Sequence, residues 1–136
     1  MIDSGDTGFM IICTALVLLM TPGLAFFYGG MVRRKNVVNT MMTSIFVIGI
    51  AMVMWILFGY SLAFGNDHLG IIGDLSFLGL SNVGTTPGNY ASTIPDLGFA
   101  AFQMMFAIIT PALITGAVAG RMKFKALFIF IIVWST

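Results

Sequence analysis

The chain has 136 residues, of which 59% are hydrophobic and only 8% charged, against roughly 25% charged in ordinary soluble domains. So few charges cannot cover a water-facing surface, which excludes a soluble domain and leaves an integral membrane protein. The formal net charge of +1 comes from basic residues split between two short clusters. They form no basic groove, so no nucleic-acid partner is expected.

At about 20 apolar residues per spanning helix, the sequence holds three full spans and the start of a fourth. The expected fold is all-α, a polytopic transmembrane helix bundle. The first run, 7–32, is free of charge and longer than the apolar core of a secretory leader. It follows Asp3 and Asp6, where a leader would be basic, so no cleaved leader is expected. Pro22 removes a backbone hydrogen bond and predicts a kink near Thr21. Gly29 and Gly30 permit close helix approach, and Arg33–Lys35 stop the span. Cys13, the single cysteine, reads as a small packing residue.

The second run, 37–64, is long enough to cross with tilt, and Trp55 and Tyr60 are candidates for packing or interface anchoring. In residues 65–95 Gly, Asn, Asp, Ser and Thr accumulate, which marks a loop. Its clusters Ile71-Ile72 and Leu75 to Leu78 read as short helical or turn pieces on the membrane surface. His68 stands alone in this loop and lacks the additional ligands or base partners of a metal or catalytic site. Asp96, after Pro95, is placed to cap the third helix, 97–120, with its carboxylate. Ala112, Gly116 and Gly120 then recur every four residues as a stripe open to another helix. The fourth run, 126–136, would rise only about 16 Å against a hydrocarbon core of about 30 Å. The sequence is therefore expected to be the N-terminal part of one longer transmembrane domain.

Charge placement predicts the topology. Arg33, Arg34 and Lys35 follow the first run, and Arg121, Lys123 and Lys125 follow the third, whereas every Asp precedes the first run or lies between the second and third. Short basic loops stay in the cytoplasm, so 33–36 and 121–125 are expected inside. The N-terminus and loop 65–95 then lie outside, most simply across a plasma (inner) membrane.

No Asp, Glu, His, Lys or Arg interrupts the first three spans. Hence no catalytic acid or base, no metal site and no cofactor are expected, and the chain does not read as an enzyme. What remains is aromatic. Phe99, Phe102, Phe106, Ile109 and Leu113 recur at helical spacing down the third span, and Leu24, Phe27 and Tyr28 make a shorter stripe after Pro22. Such stripes serve either ordinary helix packing or, through their ring faces, the binding of a small cation.

Three segments are more specific. Residues 21–36 (TPGLAFFYGGMVRRKN), 55–65 (WILFGYSLAFG) and 102–124, beginning FQMMFAIIT, resemble in order the first helix and loop, the end of the second helix, and the third helix of Amt/Mep/Rh ammonium transporters. The resemblance implies a homotrimeric bundle of eleven-helix protomers, each with a narrow hydrophobic pore for ammonium or ammonia, with methylammonium as an analogue. It implies a recruitment role for Phe102, a gate role for Phe106, and pore-lining roles for Leu24, Phe27, Tyr28 and Leu113. A cytoplasmic PII-type signalling protein is an implied partner. The family's pore histidines belong to later helices, and His68 does not replace them. Gly120 stands where many members carry an acidic residue before the Arg. Two alternatives remain open at this point: an ammonium sensor of the same fold, and a small oligomeric membrane scaffold or exporter.

Overall fold

Helix α1 (Ser4–Met31) begins where Asp3 caps it: the Asp6 N–H donates to Asp3 Oδ1 at 3.0 Å. The computed structural model describes residues 1–136. α1 starts before the expected residue 7 because the Asp3 cap and the acidic Asp6 suit the positive end of the helix dipole. It contains Pro22 and remains helical to Met31.

A 3-10 turn, Arg34–Asn36, leads into α2 (Val37–Met54). A wide π-helical turn, Trp55–Gly59, then joins α2 to α3 (Tyr60–Phe64), so one helical rod runs unbroken to Phe64. Nothing in the sequence announces this π turn, because apolar periodicity does not encode one extra residue in a turn.

The loop bears out its expected form in part: Leu75 to Leu80 passes through a bend and a turn into a 3-10 turn, Leu78–Leu80. The Ile71-Ile72 cluster does not, because β1 (Asp67–His68) pairs with β2 (Ile72–Gly73); further on, β3 (Pro87–Gly88) pairs with β4 (Ala91–Pro95), and both pairs are antiparallel. Each strand pair is local, and the Leu69 and Gly70 φ angles of 60° and 71° turn the first hairpin. The loop is tied to the end of the second span through Asp74. Its carboxylate accepts bonds from Ser76 N and Oγ and from Asn66 N and Nδ2, while Ser61 Oγ donates to its carbonyl at 2.7 Å. Gly73 permits this close crossing, since a Cβ there would lie 2.6 Å from the Ser61 carbonyl oxygen.

The Ser76 hydroxyl first, then the Ser76 N–H and Asn66, hold the Asp74 carboxyl down at about 2. A carboxyl depressed in the folded state contributes stability above its unfolded value of about 3.9, and that contribution is lost as pH falls through its folded value. The Asn66 and Ser76 amide resonances should therefore hold their native shifts through about pH 4 and move together with a midpoint at about pH 2. In Asp74→Asn this acid transition should be absent. Transitions centred near pH 4 in the parent would show that the four bonds do not act on the carboxylate.

Helix α4 (Asp96–Val118) corrects one expectation. Asp96 is its first residue rather than its cap, Pro95 occupies the cap position, and no side chain caps the helix. The free N–H groups find loop carbonyls instead: Asp96 N donates to Thr86 O and Leu97 N to Gly84 O, each at 3.0 Å. The Asp96 carboxylate is left to accept from Tyr60 Oη at 3.2 Å. Pro111 lies inside α4, and Gly120 lies beyond its end with φ 70°. The small-residue stripe therefore ends at Gly116 rather than Gly120. After the turn, α5 covers Phe124–Ser135.

α1, α2 and α4 pack against one another, and α5 leans on α2 and α4. Val47, Ala112, Leu127 and Ile131 form one core cluster, and Ala51, Met105 and Ile108 another. A buried hydroxyl pair, Ser44 Oγ and Thr115 Oγ1 at 2.9 Å, crosses between α2 and α4. Asp3 N donates to Thr93 O at 2.8 Å, placing the N-terminus beside the loop at one end of the bundle. At the other end, Asn39 and Thr40 share a small cavity with Gly120 and Met122, so both basic turns lie together.

Candidate functional site

The third-span aromatics divide on folding. At about 100° per residue, positions 102, 106 and 113 fall within a narrow wedge of α4. Phe102 and Phe106 form an edge-to-face pair with ring centroids 5.2 Å apart and planes at 78°. Phe106 is 40% exposed and Leu113 49% exposed, so the stripe they share is open. Ile109 leaves it for the buried core. Phe99 also leaves it: its ring stacks on Tyr90 at 5.7 Å and meets Phe64 edge-on at 5.2 Å. Phe99 shares the face of Phe106 by angle, but it sits within the first turn of α4, where the loop rings of Tyr90 and Phe64 are in reach.

Toward the basic end, α1 supplies the next part. Tyr28 Oη donates to the Leu113 carbonyl oxygen at 3.0 Å. Its ring sits where a side chain at Gly116 would project, with the ring carbons directly in the path of a Cβ. Phe27 is 62% exposed, and its ring lies 5.8 Å from that of Tyr28. Leu24 is half-buried and packs against the cluster of Val47, Ala112, Leu127 and Ile131. Thus Phe102, Phe106, Leu113 and Tyr28 are gathered along α4, Phe27 adjoins Tyr28, and Leu24 turns partly into the packing.

Two orienting bonds are invisible in the sequence. Trp55 Nε1 donates to the Ala100 carbonyl oxygen at 3.2 Å, fixing the α2 rod to α4 just above Phe102. Tyr60 is buried and reaches Asp96. The aromatic types at 55 and 60 are plain in the chain, but their partners lie 45 and 36 residues away. Pro111 is a further interior feature absent from the expected elements. Lacking an N–H, it leaves the Ala107 carbonyl without its usual donor, and Ala107, Thr110 and Pro111 line a cavity of about 460 Å³ with Trp55 and Phe58.

The stripe can therefore offer aromatic faces, an aliphatic wall and a tyrosine hydroxyl already engaged with the backbone. Along the stripe itself the side chains named are aromatic or aliphatic, without a carboxylate, imidazole or amine. His68 is exposed on β1, and no group of three His, Cys, Asp or Glu side chains is assembled to hold a metal ion.

Three helices long and apolar enough to cross a membrane, joined by a polar loop at one end and basic turns at the other, define a polytopic integral membrane protein. Comparison with known proteins specifies which kind. The family model described as Ammonium Transporter Family matches residues 8–136, and the chain belongs to that family. It is 52% identical over 132 residues to an ammonium transporter of Bacillus subtilis (strain 168), covering 97% of this chain and 32% of the relative. It is 43% identical over 134 residues to the ammonium transporter Amt1 of Archaeoglobus fulgidus, covering 98% of this chain and 32% of the relative. Crystal structures of Mep2 from Saccharomyces cerevisiae and Candida albicans superpose with TM-scores of 0.83 and 0.85 at 30% and 29% identity, covering 98% of this chain and 32% and 29% of theirs. The chain thus spans about a third of the length of these relatives.

Proposed function

We propose that the protein to which this chain contributes conducts ammonium or ammonia across a membrane, with the α4 stripe forming part of the path. The observation that carries this reading is the family match over residues 8–136; the Phe102–Phe106 pair on an open stripe supports it. Phe102 recruits the cation through its ring face, Phe106 narrows the path, and Leu113, Phe27, Tyr28 and Leu24 line it toward the basic end. The working protein is a homotrimer in the plasma (inner) membrane, with a PII-type protein as a cytoplasmic partner.

The N-terminus and the loop face outward, and both basic turns face the cytoplasm, because positively charged short loops are retained there. With Cys13 replaced, Asn89→Cys in the full-length protein should react with an impermeant thiol reagent from outside and Asn36→Cys only from inside. The reverse pattern would invert the proposed orientation.

Transport itself is tested by methylammonium uptake into vesicles carrying the full-length protein. Saturable uptake competed by ammonium is the expected result. Ammonium binding without uptake would replace the transporter reading by a receptor of the same fold.

A further inference from the structure

A second aromatic cavity lies at the acidic end, apart from the Phe102–Phe106 pair. It has a volume of about 280 Å³ and is lined by Tyr60, Phe64, Phe77 and Tyr90, by Asp67 and Asp96, and by Asn66 and Asn89. Phe64 is its hub, with ring centroids 5.2 Å from Tyr60 and 5.1 Å from Tyr90, while Phe77 lies 5.8 Å from Tyr60.

The charges in this cavity are unbalanced. No Lys or Arg occurs between Lys35 and Arg121, and all six basic residues lie at the opposite end of the bundle. Asp96 Oδ1 accepts from Tyr60 Oη at 3.2 Å, which orients the carboxylate and leaves Oδ2 without a protein donor. Asp67 receives no side-chain hydrogen bond within the chain. Two carboxylates with open acceptor positions thus stand beside several aromatic rings, whose faces attract cations and whose bulk displaces water.

We infer that this cavity is a docking site for a small monovalent ammonium-type cation. Carboxylate oxygens accept its N–H donors, and aromatic rings accommodate its alkylated or partly dehydrated side. A divalent ion is less well served, since calcium takes six to eight oxygens and four aromatic rings occupy much of the wall beside the carboxylates and the Asn66 and Asn89 amides. The volume far exceeds the share of about 30 Å³ that one water occupies, so the ion can retain part of its hydration. Phe99, stacked on Tyr90, lies one turn of α4 before Phe102, so the cavity wall adjoins the outer end of α4. The site therefore collects cations ahead of recruitment. The choice of cation rests on the proposed ammonium transport; the site itself rests on the cavity and its charge.

The test uses the full-length protein at low ionic strength, with Tyr90→Trp as an indole reporter and methylammonium chloride as the probe. The fluorescence change, taken relative to the parent, should be saturable, and Asp67→Asn should raise its midpoint roughly fivefold, an effect that shrinks in high salt. Asp96→Asn should act in the same direction. Asp67 is exposed and its side chain makes no hydrogen bond in the chain, so Asp67→Asn keeps the test decisive if Asp96→Asn disturbs folding. Phe106→Ala should leave the titration unchanged, which separates docking here from events on the stripe. A midpoint unaffected by Asp67→Asn, an equal response to sodium, or a tighter response to calcium overturns the inference. Loss of uptake with this titration intact would instead refute the proposed transport and leave the site standing.

Discussion

Gly116→Ala is expected to destabilise the folded protein by about 3 kcal/mol, the upper part of the usual range for overpacking a well-fitted interior. The added Cβ would enter the space of the Tyr28 ring, and ring carbons cannot yield as the far end of a flexible side chain can. Nor can the ring simply slide away, because its hydroxyl is bonded to the Leu113 carbonyl oxygen at 3.0 Å. Relief requires either losing that bond, worth about 1 kcal/mol, or moving α1 away from α4. Moving α1 would also disturb its other buried positions, Thr21, Ala25 and Gly29, the last of which is packed against Met41 and Val37 of α2. The measurement is the unfolding midpoint of Gly116→Ala, Tyr28→Ala and the double variant in the full-length protein. The coupling between the two sites should be large, with the double variant recovering most of the loss caused by the glycine substitution. Additive effects, or a harmless Gly116→Ala, would show that Tyr28 is not seated against position 116.

That contact also marks how far the fold is legible in the amino-acid sequence. Three spans and two basic turns can be read from the chain because apolar length and charge placement are one-dimensional quantities. The interval of four from Ala112 to Gly116 announces a close approach, but not that the approaching group is the ring of Tyr28. The same limit explains Asp96. A carboxylate after Pro95 satisfies the local rule for a cap, yet loop carbonyls take the free N–H groups and buried Tyr60 takes the carboxylate. Local rules lose to partners brought in by the fold.

The strands of the loop escape the sequence for another reason. Short apolar clusters such as Ile71-Ile72 carry no period long enough to separate helix from strand, and the deciding features are the left-handed turn at Leu69 and Gly70 and the Asp74 bonds. The candidate site is legible as residue types at helical spacing. Its division is not: Phe99 belongs to the loop cluster, Ile109 to the core, and only Phe102, Phe106 and Leu113 remain together on the open stripe.

Phe102→Ala and Phe106→Ala should separate capture from selection, although the two rings touch edge to face at 5.2 Å. Phe102 is half-buried, one turn nearer the acidic end of α4 than Phe106. Removing it should raise the apparent KM for methylammonium by the equivalent of about 1 kcal/mol, roughly fivefold, with a smaller change in maximal rate. Phe106 is more exposed, and no residue of this chain covers its outward side to that extent of 40%. Without its ring the path widens by the volume of a phenyl group, and the requirement that an ion shed its water is relaxed. Phe106→Ala should therefore admit larger or hydrated cations that the parent excludes. The two variants are compared by methylammonium uptake and by leak of tetramethylammonium into vesicles, after equal amounts of full-length protein are confirmed in the membrane. Affinity moving in one variant and selectivity in the other supports the assigned roles. If neither variant changes affinity, rate or selectivity, the rings serve helix packing alone and the path lies elsewhere.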